Sequence, residues 1–253
     1  MKKNKKYFLI VIGLILILLY VNNIYKLLFQ ENNNVSNIID CEEEREYIRK
    51  KLTSKEDKII IIDPGHGGKD PGKVGIDNTL EKDINLSIAM KLKDKLVKNG
   101  FSVVMTRTTD VGLYGEMDNN KKNVDLRNRV NIINESDAIL VISIHQNSYM
   151  SEKEKGAQVF YYNNSNMARE AAICIQNAFK EYHDKHNQRK EKTNTSYYIL
   201  KKTNKPTIIV ECGFLSNYDE CRKLTLDSYQ DSIVKAINNG IIIWANKILN
   251  DVY

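Results

Sequence analysis

The sequence predicts a single α/β domain over residues 58–253, with a mainly parallel sheet of about six strands covered by helices on both faces. Short apolar runs rich in β-branched residues recur along this region, and such runs bounded by turn residues are typical of buried strands. Between them lie longer segments whose apolar residues recur every three or four positions, as in amphipathic helices. Strands that alternate with helices pair in parallel, and such a sheet needs helices on both faces.

Turn residues mark the order of these elements. The first strand, Ile59–Asp63, ends at a Pro-Gly pair, and the first helix, Thr79–Lys98, ends before Gly100. Apolar, β-branched and aromatic residues predict the remaining strands at Phe101–Thr106, Ala138–Ile144, Ala157–Tyr162, Tyr197–Leu200 and Thr207–Glu211. Helical spacing of apolar residues predicts the remaining helices at Leu126–Glu135, Ala168–Tyr182 and Ser228–Leu249.

Residues 1–29 predict a membrane anchor in front of the domain. A basic cluster, Met1–Lys6, precedes the uncharged and mostly apolar run Tyr7–Val21, and no small-residue cleavage site follows. We therefore expect an uncleaved signal-anchor helix, with a cleaved signal peptide as the alternative because the run is short for a spanning helix. In both cases the rest of the chain is exported, to the outer face of the cytoplasmic membrane. Residues 30–57 predict a polar stalk with a short helix at Asp40–Lys51.

Charge and cysteine content narrow the class of function. The formal net charge is +6, but the first 29 residues contain five lysines and no acid, so residues 30–253 carry only +1. A nearly neutral domain gives no support for a nucleic-acid partner. The four cysteines (Cys41, Cys174, Cys212 and Cys221) form no CxxC pair, which argues against redox chemistry and leaves a Cys212–Cys221 disulfide open.

Candidate site residues lie at the predicted strand ends. His66 follows the first strand, His145 follows the third, and Glu211 ends the last. The carboxyl ends of parallel strands meet at one edge of the sheet, which is where α/β proteins bind ligands. Two imidazoles and a carboxylate around an open position are a common catalytic zinc arrangement.

Purely structural roles for the same residues compete with the zinc-site interpretation. His66 lies in a glycine-rich turn, and His145 fits a hydrogen-bonded histidine at a strand end. Asn78-Thr79-Leu80-Glu81 fits a capping box in which Glu81 accepts the Asn78 backbone N–H, and the pattern alone favours that role. Glu211 is harder to explain structurally, because a carboxylate ending an apolar strand is costly unless it is paired.

Three further residues have open or minor roles. Asp63, just before the Pro-Gly turn, either accepts a hydrogen bond from a histidine and fixes its tautomer or forms an Asx turn. His183 and His186 lie in a strongly polar segment and are expected to be solvated.

Four separated motifs carry a family resemblance. IIIDPGHGGKDPG, LEKDINLSIA, SIHQNS and PTIIVECGFLSN, in this order over residues 58–250, resemble motifs of the zinc-dependent N-acetylmuramoyl-L-alanine amidases. The resemblance implies that His66, Glu81 and His145 bind one catalytic zinc ion and that Glu211 is the catalytic carboxylate. The connection Asp110–Leu126 looks like that of the CwlD-like germination-specific amidases of spore-forming bacteria.

The sequence also departs from the family pattern. Lys73 replaces a residue that is usually small, and Gln146 replaces one that is usually small or apolar. These changes put substrate contacts in doubt but remove no ligand. The basic residue that the family pattern places before Tyr197 is one of three candidates: Arg189, Lys190 or Lys192.

The resemblance implies a hydrolase that cuts the amide bond between the lactyl group of N-acetylmuramic acid and L-alanine in peptidoglycan. Its expected role is spore cortex maturation and germination, between the forespore and mother-cell membranes, with an accessory protein or a second copy of the chain as partner. A cysteine amidase using Cys212 is disfavoured, because neighbours in a strand point to opposite faces and Glu211 faces the site. The other alternative is a non-catalytic or partner-dependent peptidoglycan-binding protein on the same fold.

Overall fold

One six-stranded sheet forms the centre of the computed structural model, which describes residues 18–24, 26, 41–54 and 57–250. Its strands are β1 (Ile59–Pro64), β2 (Ser102–Met105), β3 (Leu140–Asn147), β4 (Gln158–Tyr161), β5 (Lys192–Thr193) and β6 (Thr207–Phe214). Their order is β2-β1-β3-β6-β4-β5. All neighbours pair in parallel except β4 and β6, which are antiparallel. The predicted mainly parallel sheet of about six strands is confirmed.

Helices cover both faces of this sheet. The helices from residue 41 onward are α1 (residues 41–53), α2 (Glu81–Lys98), α3 (Lys121–Asn134), α4 (Asn166–Tyr182), α5 (Tyr198–Lys202), α6 (Tyr218–Leu224) and α7 (Asp227–Asn250). α2, α4 and α7 pack together over one face, where Trp244 is fully buried. On the other face, Val130 and Ile133 of α3 and Ile199 of α5 pack against Ile61 and Val141 of the sheet. The three-layer architecture is therefore confirmed.

The register of the central strands determines where site residues meet. β1, β3 and β6 are adjacent and parallel, so their carboxyl ends lie at the same edge. Pro64 of β1 lies beside Ile144 of β3, and His145 of β3 lies beside Glu211 of β6. Two predicted site residues are thus direct neighbours across the sheet.

The predicted strand Tyr197–Leu200 is wrong, because this segment begins the short helix α5. The Asn194 side chain accepts hydrogen bonds from the backbone N–H groups of Ser196 and Tyr197 and turns the chain just before the helix. A short apolar run does not distinguish strand from helix by periodicity, so this local turn decides. The sixth strand is instead the two-residue β5, and the sequence interpretation also missed α6, whose N-cap is Asn217.

The chain divides into two compact units, Met1–Glu46 and Tyr47–Tyr253. In the first unit, residues 18–24 and 26 are helical, and most of the predicted anchor lies outside the described residues. Among the residues that are described, no helix is long and apolar enough to cross a membrane. The short helix predicted at Asp40–Lys51 is present as α1, and in the second unit its residues Ile48 and Leu52 are buried.

Candidate active site

His66, Glu81 and His145 converge at the carboxyl edge of the sheet. His66 follows β1, Glu81 is the first residue of α2, and His145 belongs to β3. Nε2 of His66 lies 3.2 Å from Oε2 of Glu81, and Nδ1 of His145 lies 3.0 Å from Oε1 of Glu81. The two imidazole rings are 5.0 Å apart, edge to face. The structure thus brings together the three residues that the family resemblance assigns to metal.

Glu81 does not cap its helix, so the capping-box interpretation is wrong. The N-cap residue is Leu80, which makes no side-chain capping bond, and the Asn78 N–H donates to the carbonyl of Gly75. The buried Glu81 carboxylate instead accepts backbone N–H groups from Lys73 and Gln146. Burial alone would raise the pKa of this carboxyl, but hydrogen bonds from His145 and His66 hold it well below its usual range.

The donor set fits a zinc ion. One nitrogen from each histidine and one carboxylate oxygen lie within 4.8 Å of one another. In a tetrahedral site with bonds of about 2.1 Å the donors are about 3.4 Å apart, so only small side-chain movements are needed. The hydrogen bond to Glu81 raises the pKa of His145 against the opposing effect of burial. A metal ion therefore competes with a proton for this ring, and binding should weaken in acid.

Glu211 lies beside this cluster without belonging to it. The residue is 6% exposed, and its Oε2 has no hydrogen-bond partner among the described residues. Its Oε1 lies 3.4 Å from the hydroxyl of Tyr197, a contact that the sequence interpretation missed. Burial is the main cause that raises the pKa of Glu211 to about 7. A carboxyl group with such a pKa can both accept and return a proton near neutral pH.

Asp63 does not contact a histidine and forms no Asx turn, so both interpretations of it are wrong. Its carboxylate accepts hydrogen bonds from the hydroxyls of Thr106 and Ser143 and forms a buried 2.7 Å ion pair with Arg129. Burial alone would raise its pKa, but the charge of Arg129 and these hydrogen bonds lower it to about 2. The carboxylate that does orient a histidine is Asp70, whose Oδ2 lies 3.0 Å from Nδ1 of His66.

Two buried arginines hold the loop that carries His66. Arg107 donates to the carbonyls of Pro64 and Gly65, and Arg129 donates to those of Pro64 and His66. His66 has a φ of 64°, which is uncommon outside glycine. These donors fix a backbone conformation that the local sequence does not favour.

Asn85 and Gln146 form a second layer around Glu81. The Asn85 amide donates to the carbonyl of Gly65, and its oxygen accepts from the Gln146 side chain. Asn85 lies one helical turn after Glu81, a spacing of four residues that could have identified it from the sequence. The unusual Gln146 therefore supports Glu81 besides lining the groove.

The other candidates lie outside the site. Cys212 is fully buried and burial raises the pKa of its thiol, which argues against a cysteine nucleophile. All four cysteines are free, so the Cys212–Cys221 disulfide is not formed.

Of the two remaining histidines, His186 is exposed as expected, whereas His183 is partly buried. The ring of His183 packs against Phe179 and Tyr229, and its Nδ1 lies 2.7 Å from the Ser232 hydroxyl. Burial lowers its pKa to about 4. This histidine joins α4 to α7 and has a structural role.

A groove of about 450 Å³ passes over the cluster. One part of its wall is apolar, with Leu126, Ile199 and Ile209, and another part carries Lys73 and Lys122. None of the three candidates for the basic residue before Tyr197 is among the described residues that line it. Arg189 instead pairs with Glu154 and lies over the ring of Phe214.

Comparison with known proteins adds family evidence to this geometry. Residues 60–242 match the model of a family described as N-acetylmuramoyl-L-alanine amidase. The germination-specific N-acetylmuramoyl-L-alanine amidase of Bacillus subtilis (strain 168) is 40% identical over 188 residues, which cover 73% of this chain and 78% of the relative.

Two solved structures are also similar. The CwlD amidase of Clostridioides difficile, solved in complex with the GerS lipoprotein, is 42% identical with a TM-score of 0.73, and the match covers 76% of this chain and 100% of that one. An N-acetylmuramoyl-L-alanine amidase from Clostridium difficile 630 is 31% identical with a TM-score of 0.66, covering 75% of this chain and 97% of that one.

Proposed function

The chain belongs to the N-acetylmuramoyl-L-alanine amidase family, and on this premise we propose that it is a zinc-dependent hydrolase with Glu211 as its catalytic base. Its substrate is the amide bond between the lactyl group of muramic acid and L-alanine in peptidoglycan. The observation that carries the proposal is the convergence of His66, Glu81 and His145 in one groove beside Glu211, whose Oε2 has no hydrogen-bond partner among the described residues.

His66, Glu81 and His145 would hold the zinc ion. When bound there, zinc supplies Lewis acidity, which polarises the amide carbonyl and lowers the pKa of water toward neutrality. Asp70 keeps the proton of His66 on Nδ1 and so leaves Nε2 free to bind metal. Lys73 and Gln146, through their backbone N–H groups, hold the Glu81 carboxylate in place.

Glu211 moves the proton. Its carboxylate accepts a proton from the attacking water and then donates it to the departing nitrogen of L-alanine, which leaves as an amine. The Tyr197 hydroxyl, 3.4 Å from Oε1, orients the carboxylate, and no described residue competes with water for Oε2. Removal of this proton transfer should lower kcat by about 10²- to 10⁴-fold.

The cellular role and partners are part of the same proposal. The similarity to germination-specific and CwlD amidases supports a role in spore cortex maturation and germination. The CwlD structure contains the GerS lipoprotein, which supports an accessory protein as partner. The basic and apolar N-terminus supports export and anchoring at the outer face of the membrane.

The test is mass spectrometry of purified peptidoglycan after incubation with the full-length chain and zinc. Release of peptides that begin with free L-alanine is expected, and both Glu211→Gln and a chelator should abolish it, with recovery when zinc is restored to the chelated enzyme. Peptide release that survives both controls would exclude the proposed site. Binding to peptidoglycan without release would favour the non-catalytic alternative.

A further inference from the structure

Two lysines line the groove close to the metal-binding residues. Lys122 is the second residue of α3, and Lys73 lies in the loop before α2. Nζ of Lys122 is 3.6 Å from Oδ2 of Asp70, and that oxygen is 3.0 Å from Nδ1 of His66. The ammonium is therefore no more than about two residues of extended chain from the histidine ring, at about 3.4 Å per residue.

The neighbouring Lys121 shows that the direction of Lys122 is specific. Lys121 turns away from the groove and donates to the carbonyls of Gly115 and Glu116 in the preceding loop. Lys122 is four residues before Leu126, so both side chains lie on the same face of α3, and both line the groove.

Neither lysine is placed where the helix itself favours a cation. Both lie in the first turn of α3, which contains no acidic residue, although the positive end of the helix dipole favours carboxylates there. The ammonium of Lys121 is stabilised by hydrogen bonds to two carbonyls of the preceding loop. The Lys122 side chain, by contrast, is 66% exposed and faces the groove. The ammonium of Lys122 therefore remains accessible to a ligand in the groove.

From this arrangement we propose that Lys122, assisted by Lys73, binds a free carboxylate on the second residue of the stem peptide, which follows the L-alanine at the bond that is cut. The proposal rests on the function proposed above. In the stem peptide the residue after L-alanine is D-glutamate joined through its side chain, so its α-carboxylate is free unless it is amidated. Lys122 then selects substrates with the acid over those with the amide.

The ion pair with Asp70 does not account for Lys122. The Asp70 carboxylate already accepts hydrogen bonds from the His66 ring and from the backbone N–H of Gly72. At 3.6 Å the ammonium is beyond the usual hydrogen-bond distance from Asp70. Because the side chain remains exposed, its remaining N–H groups can reach a second carboxylate in the groove.

The experiment compares two synthetic muramoyl peptides that differ only in D-glutamate or D-isoglutamine as the second residue. The full-length zinc enzyme should have a kcat/KM about three- to tenfold higher for the acid, and the preference should shrink as salt increases. Lys122→Gln should bring the ratio close to one. The matched control Lys121→Gln should retain it, and Lys73→Gln should reduce it partly.

Several outcomes would overturn the proposal. These are equal rates for the two peptides in the unmodified enzyme, or a ratio that Lys122→Gln leaves unchanged. Weaker zinc binding by Lys122→Gln, with both peptides affected equally, would make Lys122 a support for Asp70 instead. Calorimetric binding of the same peptides to Glu211→Gln gives the comparison without turnover. If neither peptide is cut but the acid still binds more tightly, the proposed function fails and the carboxylate site stands.

Discussion

Replacing Arg129 by methionine should destabilise the chain by about 3–5 kcal/mol, because it leaves a buried carboxylate without its counter-charge. Arg129 and Asp63 are 2% and 1% exposed and lie 2.7 Å apart. The methionine fills most of the same volume, so the change removes charge and hydrogen bonds with little loss of packing. The substitution tests whether this pair holds β1 against α3.

The size of this loss in stability follows from the hydrogen bonds that Asp63 would retain. The hydroxyls of Thr106 and Ser143 still donate to it, but these neutral donors replace only part of a charge interaction that contributes to a pKa of about 2. Arg129 also donates to the carbonyls of Pro64 and His66. The Pro64 carbonyl would keep its hydrogen bond from Arg107, whereas the partly buried His66 carbonyl would lose this donor. An unsatisfied carbonyl costs about 1–3 kcal/mol unless water enters, so the expected loss lies toward the upper end of this range if the His66 carbonyl stays dry.

Urea unfolding of the zinc-free protein, followed by circular dichroism, measures this change. Arg129→Met combined with Asp63→Asn should recover at least about 1 kcal/mol relative to the sum of the two single changes, because the pair is removed together. The exposed Arg169 of α4 provides the control, and Arg169→Met should change stability by less than about 0.5 kcal/mol. A loss below about 2 kcal/mol in Arg129→Met, or strict additivity in the double variant, would refute the reasoning.

Three further predictions concern metal, shape and pH. Zinc at about 100 times its Kd should stabilise the fold by about 2.7 kcal/mol in thermal unfolding, and His145→Ala should lose this shift. Gly65→Ala would put a methyl group within contact of the His145 ring, so zinc affinity in a chelator competition should fall about 10- to 100-fold; an unchanged affinity would contradict the geometry. The folded pKa of His183 is about 4 against an ordinary 6.5, so the unfolded chain binds more protons and stability should fall by at most about 3 kcal/mol between pH 6.5 and 4. His183→Asn should flatten this part of the stability profile, and an unchanged profile would show that another group titrates.

Much of the site could be predicted because strand order brings distant residues together in a regular way. His145 and Glu211 were expected at the same edge from their positions at strand ends, and they are neighbours across β3 and β6. This expectation needs only the alternation of strands and helices, which the apolar pattern determines. The sequence therefore predicts which residues lie at the carboxyl edge of a parallel sheet, even where it does not predict which two of them are in contact.

Glu81 marks the limit of local patterns. The sequence Asn78-Thr79-Leu80-Glu81 suits a capping box. However, Asn78 has a φ of 65°, and its N–H donates a hydrogen bond to the carbonyl of Gly75 instead of to Glu81. This left-handed turn starts the helix at a different residue and directs Glu81 toward the histidines. Only the family resemblance assigned Glu81 to the metal, because the carboxylate is positioned by His145 and Gln146, which are distant in sequence and outside the reach of short-range rules.

Long-range partners of the site were missed for the same reason. Arg129 is 63 residues from the carbonyl of His66 that it contacts, and no spacing rule connects the two. Asp70 is only four residues from His66, but it lies in a loop, where such a spacing has no fixed meaning. Asn85 is four residues from Glu81 on a helix, where the same spacing does place two side chains together.

The hydrogen bonds that hold the His66 loop affect both the stability of the fold and the geometry of the proposed metal site. A non-glycine residue in the left-handed region is disfavoured by about 1–2 kcal/mol, so His66 needs external donors to stay in place. Gly72, also left-handed with a φ of 71°, lets the chain return so close to His66 and Glu81 that any side chain would collide with both. Because Arg107 and Arg129 fix this backbone from the core, the ligand ring is oriented before a metal ion arrives. Changes in these arginines should therefore reduce zinc affinity as well as stability, whereas Glu211→Gln should reduce turnover far more than zinc affinity.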